Sequence, residues 1–242
     1  MSESDSELLV DRLSRFRKTI PASVRVIAVT KQVSVESMRA AYQAGFREFG
    51  ESRVQEAEVK QAELSDLHDL TWHLIGHLQS NKVQKAISLF DWIQSVDSLK
   101  LAQRIDRLAA ESNRTPSLCL QVKLTDDPNK SGWTVSDLLQ DLPQLDQLTN
   151  VKISGLMVIP PFGLGADAVL ALFKEAHSLM QKIGQQGFSQ IHLEQLSMGM
   201  SNDYLLAIEA GATMIRPGRV LFGDRSEFGS ADRSEPHAAS QL

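Results

Sequence analysis

The chain has 242 residues, a hydrophobic content of 42% and a formal net charge of −5. This length is close to the roughly 250 residues of a single eight-stranded α/β barrel. The acidic balance and scattered basic residues give no electrostatic footprint for nucleic acid. No apolar run reaches the roughly 18 residues that a membrane span requires, and residues 1–7 lack the basic and apolar regions of a signal peptide. We therefore expect a cytoplasmic protein that binds neither nucleic acid nor membranes.

Helix and strand patterns alternate along the chain. Residues 3–18 predict an amphipathic helix that precedes the first strand. Short apolar runs, typical of parallel strands covered on both faces, predict strands near 25–30, 46–50, 71–75, 91–95, 118–124, 152–158, 191–196 and 213–216. Helical patterns lie between these strands, near 34–44, 52–64, 80–89, 98–112, 134–141, 166–184 and 202–210.

Eight strands joined by helical crossovers predict a single closed (β/α)8 barrel with an extra N-terminal helix. An open doubly wound sheet is the alternative, although eight strands would be many for it. We assign residues 1–224 to this one domain. Residues 225–242 are rich in Ser, Glu, Asp and Ala and carry no apolar period, which predicts a disordered C-terminal tail.

Lys31 ends the first predicted strand, directly after the apolar run 26–30. An ammonium group is costly to bury without a partner. A desolvated lysine has a lowered pKa and can form a Schiff base with an aldehyde. A snorkelling or salt-bridged lysine is the alternative, but active sites of such barrels lie at the carboxyl ends of the strands. The position of Lys31 therefore favours a functional amine.

Two turns near the end of the chain resemble phosphate-holding turns. The loop 197–201 follows a strand and precedes a helix, and Gly199 within it lets the backbone approach a ligand closely. Arg216 and Gly218 follow the next strand. Ser201 could instead act only as a helix cap. An amine together with a phosphate site suggests a phosphorylated aldehyde as the ligand.

His73 and His77 have the spacing of a metal-binding pair on a helix. Zinc peptidases place a glutamate directly after the first histidine, whereas this chain has Leu74, and Gly76 disfavours a helix across the pair. We expect no metal. We assign His73 to the wall of the pocket or to the barrel interior.

Several stretches, taken together and in this order, resemble one protein family over residues 24–223. They are Ala28-Val29-Thr30-Lys31, Phe49-Gly50-Glu51 with Val54-Gln55-Glu56, Trp72-His73-Leu74-Ile75-Gly76-His77-Leu78-Gln79-Ser80-Asn81-Lys82, Asn129-Lys130-Ser131-Gly132, Ser154-Gly155-Leu156-Met157, Leu196-Ser197-Met198-Gly199-Met200-Ser201-Asn202-Asp203, and Arg216-Pro217-Gly218 leading to Phe222-Gly223. The family resembled is that of the pyridoxal phosphate homeostasis proteins, single barrels related to the N-terminal domain of alanine racemase.

The resemblance implies that Lys31 holds pyridoxal 5′-phosphate as a Schiff base. It implies that Ser201, Gly218 and nearby backbone N–H groups hold the phosphate, and that Arg216 lies near the pyridine nitrogen. The predicted cofactor-binding residues are completed by four more positions, Ser52, His73, Met198 and Gly199. Many members have Asn-Tyr after Gly-Glu, where this chain has Ser52-Arg53. Ser52 is included because a pocket contact made by that Asn would here be made by the shorter Ser52 hydroxyl or by water.

The resemblance and the residues together favour binding over catalysis. A cationic Arg216 beside the ring nitrogen would oppose protonation there and weaken the electron sink that carbanion chemistry needs. Racemases add a tyrosine base from a further domain, and the ordered pattern of this chain ends near Gly223. We therefore predict a non-catalytic protein that stores, buffers or delivers pyridoxal phosphate and thereby affects amino-acid and keto-acid pools.

Two alternatives stay open, a pyridoxal-phosphate-dependent amino-acid racemase and a Schiff-base aldolase that acts on a sugar phosphate. Delivery of the cofactor would require pyridoxal-phosphate-dependent client enzymes as partners, and nothing in the sequence identifies them. We expect the protein to be a monomer.

Overall fold

The computed structural model describes residues 3–125 and 131–223, and within these ranges it forms ten strands and nine α-helices. The strands are β1 (Arg25–Val26), β2 (Ala28–Val29), β3 (Glu48–Glu51), β4 (Thr71–Leu74), β5 (Trp92–Val96), β6 (Ser117–Lys123), β7 (Trp133–Thr134), β8 (Lys152–Met157), β9 (Ile191–Ser197) and β10 (Met214–Ile215). The helices are α1 (Glu3–Thr19), α2 (Val35–Gln43), α3 (Val54–Glu63), α4 (Val83–Leu89), α5 (Leu99–Glu111), α6 (Val135–Leu145), α7 (Ala166–Gly184), α8 (Tyr204–Glu209) and α9 (Arg219–Phe222).

The strands close into a parallel barrel. β1 and β2 are two halves of one extended segment that is divided only at Ile27. β1 pairs with β10 on one side and β2 pairs with β3 on the other. The ring continues in the order β10-β9-β8-β6-β5-β4-β3. These nine described strands therefore occupy eight positions, which confirms the predicted (β/α)8 barrel and excludes the open sheet.

The extra N-terminal helix is also confirmed. The apolar side of α1 is buried, with Leu13 fully enclosed and Leu9 and Phe16 below a tenth exposed. The helix packs against α2 and α9, and the ring of Phe16 lies 5.3 Å from the ring of Tyr204. This packing joins the start of the described chain to its end.

The structure differs from the sequence expectations in three elements. The short strand β7 pairs with β6 outside the ring, and α9 follows the last strand. Helix α6 continues four residues beyond its predicted end at 141, although Pro143 lies inside it. Because Leu142 and Leu145 are fully buried, their packing offsets the hydrogen bond that a proline removes.

The predicted tail, residues 225–242, and the loop residues 126–130, with Asn129 and Lys130, lie outside the described residues. The domain boundary at 224 stays a prediction. Among the helices of the described ranges, none combines the length and the apolar character that crossing a membrane needs.

The close approach of β8 and β9 predicts that Gly155→Ala destabilises the barrel. A Cβ atom at Gly155 would lie 2.3 Å from the carbonyl oxygen of Gln195 on the neighbouring strand. We expect the free energy of unfolding to fall by about 1–3 kcal/mol, measured by urea denaturation. Gly184→Ala, where the new methyl would meet nothing within 4 Å, is the matched control and should not lose stability. Equal stability of the two variants would contradict the prediction.

Candidate functional site

A cavity of about 670 Å³ opens at the carboxyl ends of the barrel strands. Its walls come from the segments after β2, β3, β4, β8, β9 and β10. Five predicted site residues line it, namely Lys31, Ser52, Ser201, Arg216 and Gly218. The other three predicted residues, His73, Met198 and Gly199, are not among the lining residues.

Lys31 lies in a tight turn directly after β2. The turn spans residues 30–33 and is closed by a hydrogen bond from the Val33 N–H to the Thr30 carbonyl, 2.9 Å long. Thr30 is fully buried, whereas Lys31 is half-buried at the cavity wall. The barrel therefore presents this amine at the boundary between core and cavity.

The two predicted phosphate-holding turns meet at Ser201. Its hydroxyl oxygen accepts hydrogen bonds from the backbone N–H groups of Gly218, at 3.0 Å, and Val220, at 3.3 Å. Beside it, the Arg219 guanidinium donates to the side-chain oxygen of Asn202 at 3.2 Å. Because the Ser201 oxygen already accepts two bonds, its hydroxyl hydrogen remains for a ligand oxygen.

Gly199 shapes this loop from behind the cavity wall. Its φ of 88° is a conformation that other residues rarely adopt, and a Cβ atom there would lie 2.5 Å from the Cβ of Ala207. Its carbonyl accepts the backbone N–H of Arg216 at 2.8 Å, which ties the loop to the turn after β10. Met198 is fully buried beside it and packs in the core.

The lining of the cavity is cationic although the chain as a whole is acidic. Lys31, Arg216 and Arg219 contribute positive groups, and among the described residues of the lining only Asp203 is acidic. A carboxylate oxygen of Asp203 already accepts the backbone N–H of Met200 at 2.6 Å. The cavity is therefore suited to an anionic ligand.

A chain of buried hydrogen bonds crosses the barrel interior behind Arg216. The Arg216 guanidinium donates to the Ser197 hydroxyl at 2.7 Å, and that hydroxyl donates to the Gln94 side-chain oxygen at 2.7 Å. The Gln94 side-chain nitrogen lies 3.0 Å from His73 Nδ1. His73 Nε2 lies 3.0 Å from a carboxylate oxygen of Glu48.

Glu48 ends this chain by pairing with Arg25. The Arg25 guanidinium donates to both carboxylate oxygens of Glu48, with Nη2 at 2.7 Å from Oε2. The direction of these hydrogen bonds assigns the His73 tautomer, because Gln94 donates to Nδ1 and Nε2–H donates to Glu48. His73 therefore stands as a neutral imidazole inside the barrel, fully buried and away from the cavity.

Burial and hydrogen bonding shift the pKa values of three groups in this series of hydrogen bonds. Burial alone would raise the pKa of Glu48, but the hydrogen bonds from His73 and Arg25 outweigh it and lower that pKa to about 2. Burial lowers the pKa of His73, which keeps the ring neutral. Burial also lowers the pKa of Arg216 to about 10. Arg216 therefore remains charged at neutral pH.

Sequence reasoning missed Glu48, Gln94 and Ser197 as parts of this interior chain. A usable signal exists, since Gln94 is a polar residue among the apolar residues of β5, and all of β5 beyond its first residue is buried. Buried polar groups are nearly always hydrogen-bonded, so a polar residue in such a strand indicates an interior partner.

His73 and His77, whose spacing resembles that of a metal-binding pair, have different partners in the structure. His77 Nδ1 lies 3.2 Å from a carboxylate oxygen of Asp97, whereas His73 points into the barrel. Across residues 3–125 and 131–223, no group of three or more His, Cys, Asp or Glu side chains is placed to hold a metal ion.

Comparison with known proteins identifies the family. The family model for the alanine racemase N-terminal domain matches residues 5–226. A pyridoxal phosphate homeostasis protein of Synechocystis sp. is 52% identical over 212 residues, covering 88% of this chain and 96% of that protein. The chain belongs to the pyridoxal phosphate homeostasis protein family. A further member of this family, from Pseudomonas aeruginosa, is 40% identical over 205 residues, covering 85% of this chain and 86% of its own.

Solved structures agree with this membership. PipY of Synechococcus elongatus has been solved without PLP (TM-score 0.86, 56% identity) and with PLP bound (TM-score 0.85, 54% identity). Each comparison covers 89% of this chain and 100% of PipY. An alanine racemase of Clostridium difficile matches 92% of this chain and 60% of its own, with a TM-score of 0.69 and 15% identity. That likeness shows the fold alone.

The lowered pKa of Glu48 predicts acid sensitivity. A carboxyl group whose pKa falls from 4.5 to about 2 on folding stabilises the folded state above the unfolded pKa and loses that contribution as the pH falls through the folded pKa. Between pH 5 and pH 2, wild type should lose about 3 kcal/mol more stability than Glu48→Gln. Denaturant titrations at several pH values measure this difference. Glu58→Gln, on an exposed face of α3, should keep the wild-type slope, and an equally steep loss in Glu48→Gln would contradict the prediction.

Proposed function

We propose that this protein binds pyridoxal 5′-phosphate through Lys31 and serves in the homeostasis of that cofactor. The observation that carries the proposal is the cavity itself. It combines a lysine at the end of a barrel strand with the cations Arg216 and Arg219 and with the Ser201 turn. A lysine and an anion site in one cavity suit a ligand that carries both an aldehyde and a phosphate.

The residues of the cavity fit this cofactor. Bound pyridoxal 5′-phosphate supplies an aldehyde that reacts with an amine and a phosphate ester that accepts hydrogen bonds. Lys31 would provide the amine. The Ser201 hydroxyl would donate its hydrogen to the phosphate, and the Gly218 N–H would hold that hydroxyl in place, with Arg219 adding positive charge beside them. Ser52 would contribute a short hydroxyl to the cavity wall.

Arg216 would act on the ring through its charge. The interior hydrogen bonds hold its guanidinium at the cavity wall, and its pKa of about 10 keeps it protonated. A cation at that wall opposes the protonation of a nearby ring nitrogen. His73 belongs to this arrangement indirectly, because it supports Arg216 through Gln94 and Ser197. We assign Met198 and Gly199 to the shape of the phosphate loop.

The same features favour binding over racemisation. A racemase needs a proton donor or acceptor on each face of the reacting carbon. The chain has two tyrosines, Tyr42 and Tyr204. The Tyr42 ring lies under the Arg47 guanidinium, 3.7 Å away, and the Tyr204 ring packs against Phe16. Neither tyrosine lines the cavity, so neither stands ready as the second base.

The relatives support the homeostasis role in particular. Those at 52% and 40% identity are named pyridoxal phosphate homeostasis proteins, and PipY has been solved with PLP bound. We extend that role to this chain as storage, buffering or delivery of the cofactor without turnover of amino acids. Delivery would take place to client enzymes that depend on pyridoxal phosphate.

Lys31 should carry the cofactor. Purified protein incubated with pyridoxal phosphate should absorb visible light, and borohydride should then fix the cofactor mass on the Lys31 peptide. Lys31→Ala should lose both signals. The barrel should stay folded, because removing an ammonium group at the end of a strand leaves the core intact. Lys82→Ala, at the same end of the barrel, is the control and should behave as wild type. Label on Lys82 or Lys123 would refute the assignment, and a protein that takes up no cofactor would favour the sugar-phosphate aldolase.

Amino acids should not be turned over. In deuterated water with L- or D-alanine, the loaded protein should show no exchange of the α proton at ordinary enzymatic rates of about 1–10³ per second. The physical reason is the cationic Arg216 together with the absence of both tyrosines from the described lining of the cavity. Proton NMR of the alanine α signal measures the exchange, and an alanine racemase assayed in parallel is the positive control. Rapid exchange or racemisation would replace the homeostasis proposal with the racemase alternative.

A further inference from the structure

The turn that carries Lys31 has an unusual backbone conformation. Gln32, its third residue, has a φ of 60°, and a positive φ at this position with a negative one before it is the mark of a type II turn. Glycine or asparagine normally occupies that position, because other side chains are strained there. Something in the surrounding structure must therefore hold Gln32.

Two charged side chains of α3 hold the turn from either side of Lys31. The Glu56 carboxylate accepts the backbone N–H of Gln32 at 2.5 Å. The Lys60 ammonium donates to the carbonyl of Thr30 at 2.6 Å and to Glu56 at 2.7 Å. Residues four apart share one face of a helix, so a single helix face anchors both peptide groups that flank Lys31.

Glu51 completes this cluster and buries it. Its oxygen Oε1 accepts hydrogen bonds from the Thr30 hydroxyl at 2.7 Å and from Lys60 at 2.8 Å. The Glu51 side chain is fully buried and that of Lys60 is 9% exposed. Burying ionised groups carries a desolvation cost, and a surface ion pair would have avoided it. The cluster sits where it can fix the one turn that presents the amine.

We propose that Glu56 and Lys60 are positioning residues for Lys31. They hold the backbone on both sides of Lys31 in the type II turn and thereby fix the direction in which its side chain enters the cavity. This inference rests on the proposed function. Without the Glu56 acceptor, the turn would populate other backbone conformations, and the apparent affinity for the cofactor would fall with the population of the competent one.

The test compares two alanine variants of the same helix. Glu56→Ala removes the acceptor for Gln32 and leaves Lys60 paired one-to-one with Glu51, so the fold should hold. Glu58→Ala removes a carboxylate that pairs with Lys85 on the exposed surface and is the control. Alanine suits a helix interior, so neither change disfavours α3.

Two ligands separate positioning from general damage to the pocket. Pyridoxal phosphate reports the bond to Lys31 through visible absorbance. Pyridoxine 5′-phosphate has an alcohol in place of the aldehyde and reports only the phosphate and ring contacts, by calorimetry. Glu56→Ala should bind pyridoxal phosphate about tenfold more weakly, the loss expected for a hydrogen bond to a charged group. It should bind pyridoxine 5′-phosphate as wild type does, and Glu58→Ala should match wild type with both ligands.

A second change should restore the affinity. Glycine tolerates a positive φ without strain, so Gln32→Gly in the Glu56→Ala background should recover most of the lost pyridoxal phosphate affinity. Gln32→Ala in the same background keeps the strain and should recover none. If Glu56 has only a structural role, Glu56→Ala should lower the melting temperature, and the added Gln32→Gly change should not restore the affinity for pyridoxal phosphate.

The outcomes that overturn the inference are distinct from those that overturn the function. Wild-type affinity in Glu56→Ala, or an equal loss for both ligands, refutes the positioning role and leaves the proposed function standing. A wild-type protein that fails to bind pyridoxal phosphate refutes the proposed function. If Glu56→Ala does not fold, Glu56→Met keeps the length of the side chain without an acceptor oxygen and should lose affinity for pyridoxal phosphate alone, and an unchanged affinity there refutes the inference.

Discussion

The site depends on the hydrogen bonds that close the barrel. The backbone N–H groups of Arg25, Ile27 and Val29 donate to the carbonyls of Thr213, Ile215 and Pro217, at 2.8 to 2.9 Å. On the other side, the Thr30 N–H donates to Gly50. This closure places the end of the first strand beside the end of the last. Lys31 and Gly218, which are far apart in sequence, line one cavity only because this seam joins.

Inside the barrel, one buried cation sets the electrostatics. Arg216 is 3% exposed, yet it hydrogen-bonds a hydroxyl and a backbone carbonyl rather than a carboxylate. The carboxylate of Glu48 lies at the far end of this series of hydrogen bonds, beyond Ser197, Gln94 and His73, and is itself paired with Arg25. A neighbouring carboxylate would cancel the field of Arg216 at the cavity. The uncharged partners of Arg216, the Ser197 hydroxyl and the Val158 carbonyl, accept hydrogen bonds from its guanidinium and leave the positive charge of Arg216 to act on a ligand.

The sequence predicted the barrel and the site through the same physical rule. Parallel strands covered on both faces give short apolar runs, and their carboxyl ends share one edge, so Lys31, Ser201 and Arg216 could be placed together without coordinates. How deep along the barrel a side chain lies could not be predicted. His73 and Ile75 are two residues apart and share one side of the strand, yet His73 is buried in the interior, whereas Ile75 follows the end of β4 and lines the cavity.

The two buried polar systems approach the cavity from opposite faces of the strand layer. The Arg216 chain runs through the barrel interior, whereas the Glu51 and Lys60 cluster lies between β3 and the outer helix α3. Each is expensive to bury. The first ends on Arg216 at the cavity wall, and the second ends on the peptide groups that flank Lys31. Rigid support of this kind preorganises a binding site. It also lowers the entropy lost when a ligand binds. Among the described residues, the buried charges of Glu51, Lys60 and Arg216 thus all lie on or next to the segments that line the cavity.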